Sequence, residues 1–128
     1  MILLTVDEII ELHSKLIAKT GGSAGLRDPG LLQSAVYSAE SSFDDTELYP
    51  TVPEKSARLM FALTSNHAFV DGNKRIGVFV MLLTLKLNGI SLSYTQTELI
   101  KLGLNTASGK FKYENILTWI QDHSNCNP

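Results

Sequence analysis

The stretch His67-Ala-Phe69-Val-Asp71-Gly72-Asn73-Lys74-Arg75-Ile76-Gly-Val-Phe-Val-Met-Leu-Leu-Thr-Leu-Lys-Leu87 decides how the rest of the chain must fold. Five polar or charged side chains (His67, Asp71, Asn73, Lys74 and Arg75) fall within nine residues, and the most apolar run of the protein follows at once. From Ile76 to Leu85 almost every position is apolar, and a helix that is hydrophobic all round belongs inside a core. The run is well short of the roughly 18 residues of a membrane span, and Lys74 and Lys86 bracket it. Met81, Leu82, Leu83, Leu85 and Leu87 are helix formers, and the run is too long for a typical buried strand. Asn88-Gly89 supplies the stop, with Gly89 as the left-handed residue past the helix end. The pattern predicts a central helix from about Asn73 to Asn88.

The head of that helix is Asp71-Gly72-Asn73, with Lys74 and Arg75 in its first turn. The first four backbone N–H groups of a helix lack internal partners, and the macrodipole adds partial positive charge there. Gly72 allows a ligand to approach the backbone closely. Two cations in this turn oppose the dipole unless an anion joins them, so the combination describes a phosphate site. The plainer alternative makes Asp71 an N-cap, Asn73 a turn residue and the two cations a solvated first turn. His67, four residues ahead, favours the functional reading.

At 128 residues the chain suits one domain, residues 1–128, with a single core. With 44% hydrophobic and 19% charged residues the composition is globular. A net charge of −2 offers no electrostatic footprint for direct nucleic-acid binding. One cysteine, Cys126, excludes an internal disulfide and fits a reducing compartment. Asp7 and Glu8 interrupt any signal-peptide core, so a cytoplasmic location without membrane attachment is expected.

Capping boxes mark three further helices. Thr5 with Glu8 opens an amphipathic helix carrying Val6, Ile9, Ile10, His13, Leu16 and Ile17, in which His13 reads as a core-edge histidine without chemistry. Thr51 with Glu54, and Pro53 between them, opens the helix that delivers His67. Thr95 with Glu98 opens one running to about Thr106. Asp28 and Pro29 start another, and Tyr113 to Ile120 form the last. Residues 21–30, rich in glycine, read as a helix connection or as a mobile flap for target docking with Arg27 at its charged tip. Residues 41–52 read as an irregular acidic loop, and no segment gives convincing strands. The expected fold class is all-α, a bundle of about six helices around the one at 73–88.

The residue types suggest phosphoryl chemistry. An imidazole such as that of His67 can take a proton from an attacking hydroxyl. Asp71 can hold Mg²⁺, which binds through one or two carboxylates plus substrate phosphates. Lys74 and Arg75 neutralise phosphate charge, and Phe69 packs inward to pin the loop. Zinc is the rival, since His67 and Asp71 are spaced i and i+4. It lacks a third ligand, and two cations stand beside it. A P-loop is excluded because its glycine-lysine pattern is absent.

The segment from His67 to Arg75 resembles the Fic-family motif His-x-Phe-x-[Asp/Glu]-Gly-Asn-[Gly/Lys]-Arg at every fixed position. Length, Gly-Leu-Arg-Asp-Pro-Gly-Leu-Leu at 25–32 and Asn-Gly-Ile after the central helix resemble its Doc (death-on-curing) branch. The resemblance implies a Fic-like bundle and a toxin of a toxin–antitoxin pair that transfers part of ATP to a protein hydroxyl. It makes His67 the base and Asp71 the Mg²⁺ ligand. Gly72, Asn73, Lys74 and Arg75 become the phosphate binders. Lys74 replaces the glycine, and Val78 the second arginine, of Fic enzymes that transfer AMP. Both changes are similar to Doc proteins, in which the nucleotide is reversed and the γ-phosphate moves. Protein phosphorylation is therefore the first expectation, AMPylation the second and a non-catalytic binding module the third. The implied partners are a Phd-like antitoxin, bound as a helix in a surface groove, and a target protein that the resemblance makes a translation elongation factor. The inhibitory Ser/Thr-x-x-x-Glu-[Gly/Asn] helix of some Fic proteins is missing, because Lys110 precedes Glu114-Asn115 at the critical position.

Overall fold

Three threonines start three helices by the same local chemistry. Thr5, Thr51 and Thr95 each accept the N–H of a glutamate three residues on, and each glutamate returns to the threonine N–H. Asp28 caps another helix, with Pro29 at its first position. In the computed structural model, which describes residues 1–124, the resulting helices are α1 (Val6–Thr20), α2 (Pro29–Ser38), α3 (Val52–Asn66), α4 (Asn73–Leu87), α5 (Gln96–Ala107) and α6 (Tyr113–His123). Cys126 and the end of the polar tail lie outside the described residues. Among the described residues no helix is long and apolar enough to cross a membrane.

The architecture is all-α, built on the antiparallel α3–α4 pair. One side of this pair joins α1 and α2 through Ile9, Leu32, Leu59, Leu63, Phe69, Ile76 and Val80. The other side joins α5 and α6 through Met60, Met81, Leu85, Leu102, Ile116 and Ile120. Gly77 lets the two helices approach closely. A Cβ there would strike the Thr64 hydroxyl and lie 3.1 Å from the Met60 carbonyl oxygen.

Two departures from the sequence expectation matter. α4 is central but not buried all round: Phe79 is 40% exposed and lines an apolar groove with Leu16, Leu82, Leu99 and Ile100. Its apolar surface exceeds what the two core clusters cover. The 41–52 segment contains a short antiparallel hairpin, β1 (Ser42–Phe43) and β2 (Thr46–Glu47). Its turn residues Asp44 and Asp45 take positive φ. Such two-residue turns usually announce themselves with glycine, and this one does not. The helix stop falls where expected, with Gly89 at φ +79°.

Candidate active site

α3 ends on His67, which adopts the left-handed conformation with φ +53° and ψ +45° and so turns the chain into the loop before α4. The loop is held by an asparagine acting as a strand partner. The Phe69 N–H donates to Asn73 Oδ1, and Asn73 Nδ2 donates to the Phe69 carbonyl, both at 3.0 Å. Asn73, expected among the phosphate binders, thus has both ends of its amide engaged with the loop backbone. Phe69 is buried as expected, and its ring stacks on His13 with centroids 3.8 Å apart.

Gly72 is the residue before α4 and has φ +76°, and no side chain caps the helix. Asp71 is therefore not an ordinary N-cap. Its Oδ1 accepts the Gly72 N–H at 2.7 Å and its Oδ2 the Ser23 N–H at 3.1 Å. Those two backbone donors, then the Arg75 charge, hold its pKa below the usual carboxylate value. The carboxylate is nearly half exposed.

His67, Asp71, Gly72, Asn73, Lys74 and Arg75 all line one cavity of about 400 Å³ at the head of α4. The sequence motif is thus brought together in space, but its two cations differ. Arg75 donates to Thr20 Oγ1 at 2.6 Å and to the Gly21 carbonyl at 2.7 Å, and lies 3.7 Å from Asp71 Oδ1. It sits at the carbonyl end of α1, where a cation is favourable. Lys74 is exposed and has no hydrogen bond or ion pair among the described residues. Only its stem is supported, by the face of α5 at Gly103. The His67 imidazole is also exposed and without a partner among the described residues.

The glycine-rich connection is tied down rather than loose. Leu26 bridges Phe69, the Val70 N–H donates to Gly25, and the Arg27 and Asp28 N–H groups donate to Ala68. Arg27 is not a free tip, because its Nε donates to the His67 carbonyl at 2.8 Å. It lies beside the cavity lining, outside it. Gly22 packs on Asp71 so closely that a Cβ would strike the carboxylate.

Sequence reasoning missed His13. The residue is 2% exposed, as a core position should be, but its Nε2 lies 2.7 Å from the Asp71 carbonyl oxygen. No local pattern could reveal a partner 58 residues away.

Among the described residues no group of three or more His, Cys, Asp or Glu can hold a metal. That disfavours a zinc centre, which needs at least three protein ligands. A single ionised and accessible carboxylate beside open N–H groups does suit Mg²⁺ that takes its other ligands from phosphates and water.

Comparison with known proteins gives the family. The model of the Fic/DOC family matches residues 3–85. The chain is 30% identical over 113 residues to the "Protein kinase doc" of Escherichia phage P1, covering 86% of each. It is also 38% identical over 73 residues to the "Toxin Doc" of Mycolicibacterium smegmatis, covering 57% of this chain and 56% of that one. With an all-α bundle, a complete motif at the head of α4 and a family match over most of its length, the chain belongs to the Fic/DOC family.

Proposed function

We propose that this protein is a Doc-like toxin that transfers the γ-phosphate of ATP to a hydroxyl of a target protein. The observation that carries the reading is the uncapped head of α4. Its first-turn residues line one cavity with an ionised carboxylate and with a lysine and a histidine that have no partner among the described residues. Phosphoryl transfer requires mainly positioning and electrostatic support, which this small set provides.

In the proposed reaction the target hydroxyl oxygen attacks the γ-phosphorus, and the bond from phosphorus to the β–γ bridging oxygen breaks. His67 takes the hydroxyl proton and ADP leaves. Lys74, Arg75 and the backbone N–H groups that follow Gly72 bind phosphate oxygens, the Gly72 N–H itself being held by the Asp71 carboxylate. Asn73 serves by fixing the loop rather than by touching phosphate with its side chain. Asp71 would hold Mg²⁺, which when bound neutralises charge on the phosphates. Lys74 occupies the place where AMP-transferring relatives carry glycine, and this favours γ- over α-phosphate transfer.

The partners we infer are an antitoxin similar to Phd and, by family resemblance, a translation elongation factor as target. The apolar groove of about 410 Å³ between α1, α4 and α5 fits the apolar stripe of an antitoxin helix.

A bacterial lysate given ATP labelled at the γ- or the α-phosphate tests the reaction. The expected result is a protein labelled from γ only, and not by the His67→Ala variant. Label from the α-phosphate would replace this reading with AMPylation. No label from either, with a purified elongation factor added, would leave a binding module.

A further inference from the structure

We propose that His13 is a positioning residue that fixes the peptide between Asp71 and Gly72, and through it the Asp71 carboxylate. A carbonyl oxygen only accepts, so the 2.7 Å contact requires the His13 proton on Nε2. The same peptide is held from its other edge, where the Gly72 N–H donates to the Asp71 carboxylate at 2.7 Å. One peptide plane is thereby clamped at both ends, immediately before the open helix head.

Such a clamp has a physical reason. Gly72 lacks a Cβ and sits at φ +76°, so the preceding peptide can rotate at little steric cost. Rotation would turn the Asp71 carbonyl toward its own carboxylate and remove the N–H that steadies it. The carboxylate would then have to move. His13 opposes this by pairing the carbonyl inside the core. The imidazole cannot drift, because it stacks on Phe69 with an interplanar angle of 11° and lies against Gly72. α1 thus supplies the interior support of a loop that has no regular structure of its own. The inference rests on the proposed role of Asp71 in holding Mg²⁺, and extends it to a residue outside the motif.

The test compares His13→Phe, which keeps a stacked ring without the donor, with His13→Gln, whose amide nitrogen can replace Nε2. Calorimetry of ATP binding with and without Mg²⁺ is read beside the NMR signal of the Gly72 amide. His13→Phe should remove about tenfold or more of the Mg²⁺-dependent gain in ATP affinity and shift the Gly72 amide. His13→Gln should keep both near wild type. Full Mg²⁺ dependence and an unmoved Gly72 amide in His13→Phe would overturn the proposal. Asp71→Asn is measured in parallel. If that variant keeps the Mg²⁺ effect, the metal reading of Asp71 falls, and the Gly72 amide alone then decides whether His13 clamps the peptide. Should His13→Phe fail to fold, the imidazole nitrogen signals of the unaltered protein still decide. A proton on Nδ1 with Nε2 bare would overturn the clamp, and a proton on Nε2 would support it.

Discussion

Replacing Asn73 by alanine separates two roles that the motif alone cannot. If its amide bound phosphate, the variant would be as stable as the parent and weaker only toward ATP. The geometry gives the opposite weighting. The side chain makes two hydrogen bonds of 3.0 Å to one residue, and Phe69 is 2% exposed. Each bond contributes about 1 kcal/mol net, and more where the abandoned backbone group stays buried. A loss of about 2 kcal/mol is expected. At this chain length that corresponds to a melting temperature lower by roughly 8 °C. Urea unfolding followed by circular dichroism should show a lower midpoint with an unchanged slope, which marks altered stability rather than an altered unfolded state. Asn73→Asp is the sharper control. It keeps an acceptor for the Phe69 N–H but sets an anionic oxygen against the Phe69 carbonyl. Helix-dipole attraction would offset part of this, about 0.3–1 kcal/mol. Wild-type stability of Asn73→Ala would refute the loop-holding role.

Three further outcomes can be checked on the same instruments. Glu98 is held at about 2, first by its hydrogen bond to His123. Burial alone would lower the His123 pKa, but that hydrogen bond, with one to the Trp119 carbonyl, raises it above 6.5. The Glu98 contribution exists above pH 4.5 and fades toward pH 2, and that of His123 exists below pH 6.5 and fades as pH rises through its raised value. The stability difference between wild type and Glu98→Gln should therefore peak between pH 4.5 and 6.5, and a pH-independent difference would refute the pairing. Gly77→Ala gains about 1 kcal/mol of helix propensity but meets the Thr64 hydroxyl and Met60 carbonyl, an overpacking cost of about 1–3 kcal/mol. The denaturation midpoint should fall, and fall less in a Thr64→Ala background; a rise in the wild-type background would refute the close crossing. Lys74→Met should leave stability equal or raise it by about 0.3–1 kcal/mol while weakening ATP binding, whereas Arg75→Met should lower stability. Equal losses of stability in both would contradict the difference in their partners.

What was legible in the sequence was what neighbours decide. The three threonine–glutamate boxes, Asp28 before Pro29 and the stop at Gly89 all depend on contacts within about four residues, and each formed where the pattern put it. The motif from His67 to Arg75 was legible for the same reason. The exposure of Phe79 was not, because an apolar run reports what can be buried and not how many faces the neighbours cover. The tie between Arg27 and His67 spans 40 residues and that between His13 and Asp71 spans 58, and neither leaves a periodic trace. The 42–47 hairpin escaped because aspartates, not glycine, hold its turn.

The two cations at the head of α4 differ in where their charge is compensated. From sequence, both demand an external anion, since both oppose the α4 dipole. Arg75 finds its compensation inside the protein, at the Gly21 carbonyl and beside Asp71, so its charge is no evidence for a ligand. The same contacts bind the end of α1 and the glycine-rich segment to the motif, which makes Arg75 a structural tie before it is anything else. Lys74 receives no such compensation, and its stem is directed by the flat surface that Gly103 leaves on α5. The case for an anion at this helix therefore rests on Lys74 and the uncapped backbone, a narrower basis than the motif suggests and a more testable one.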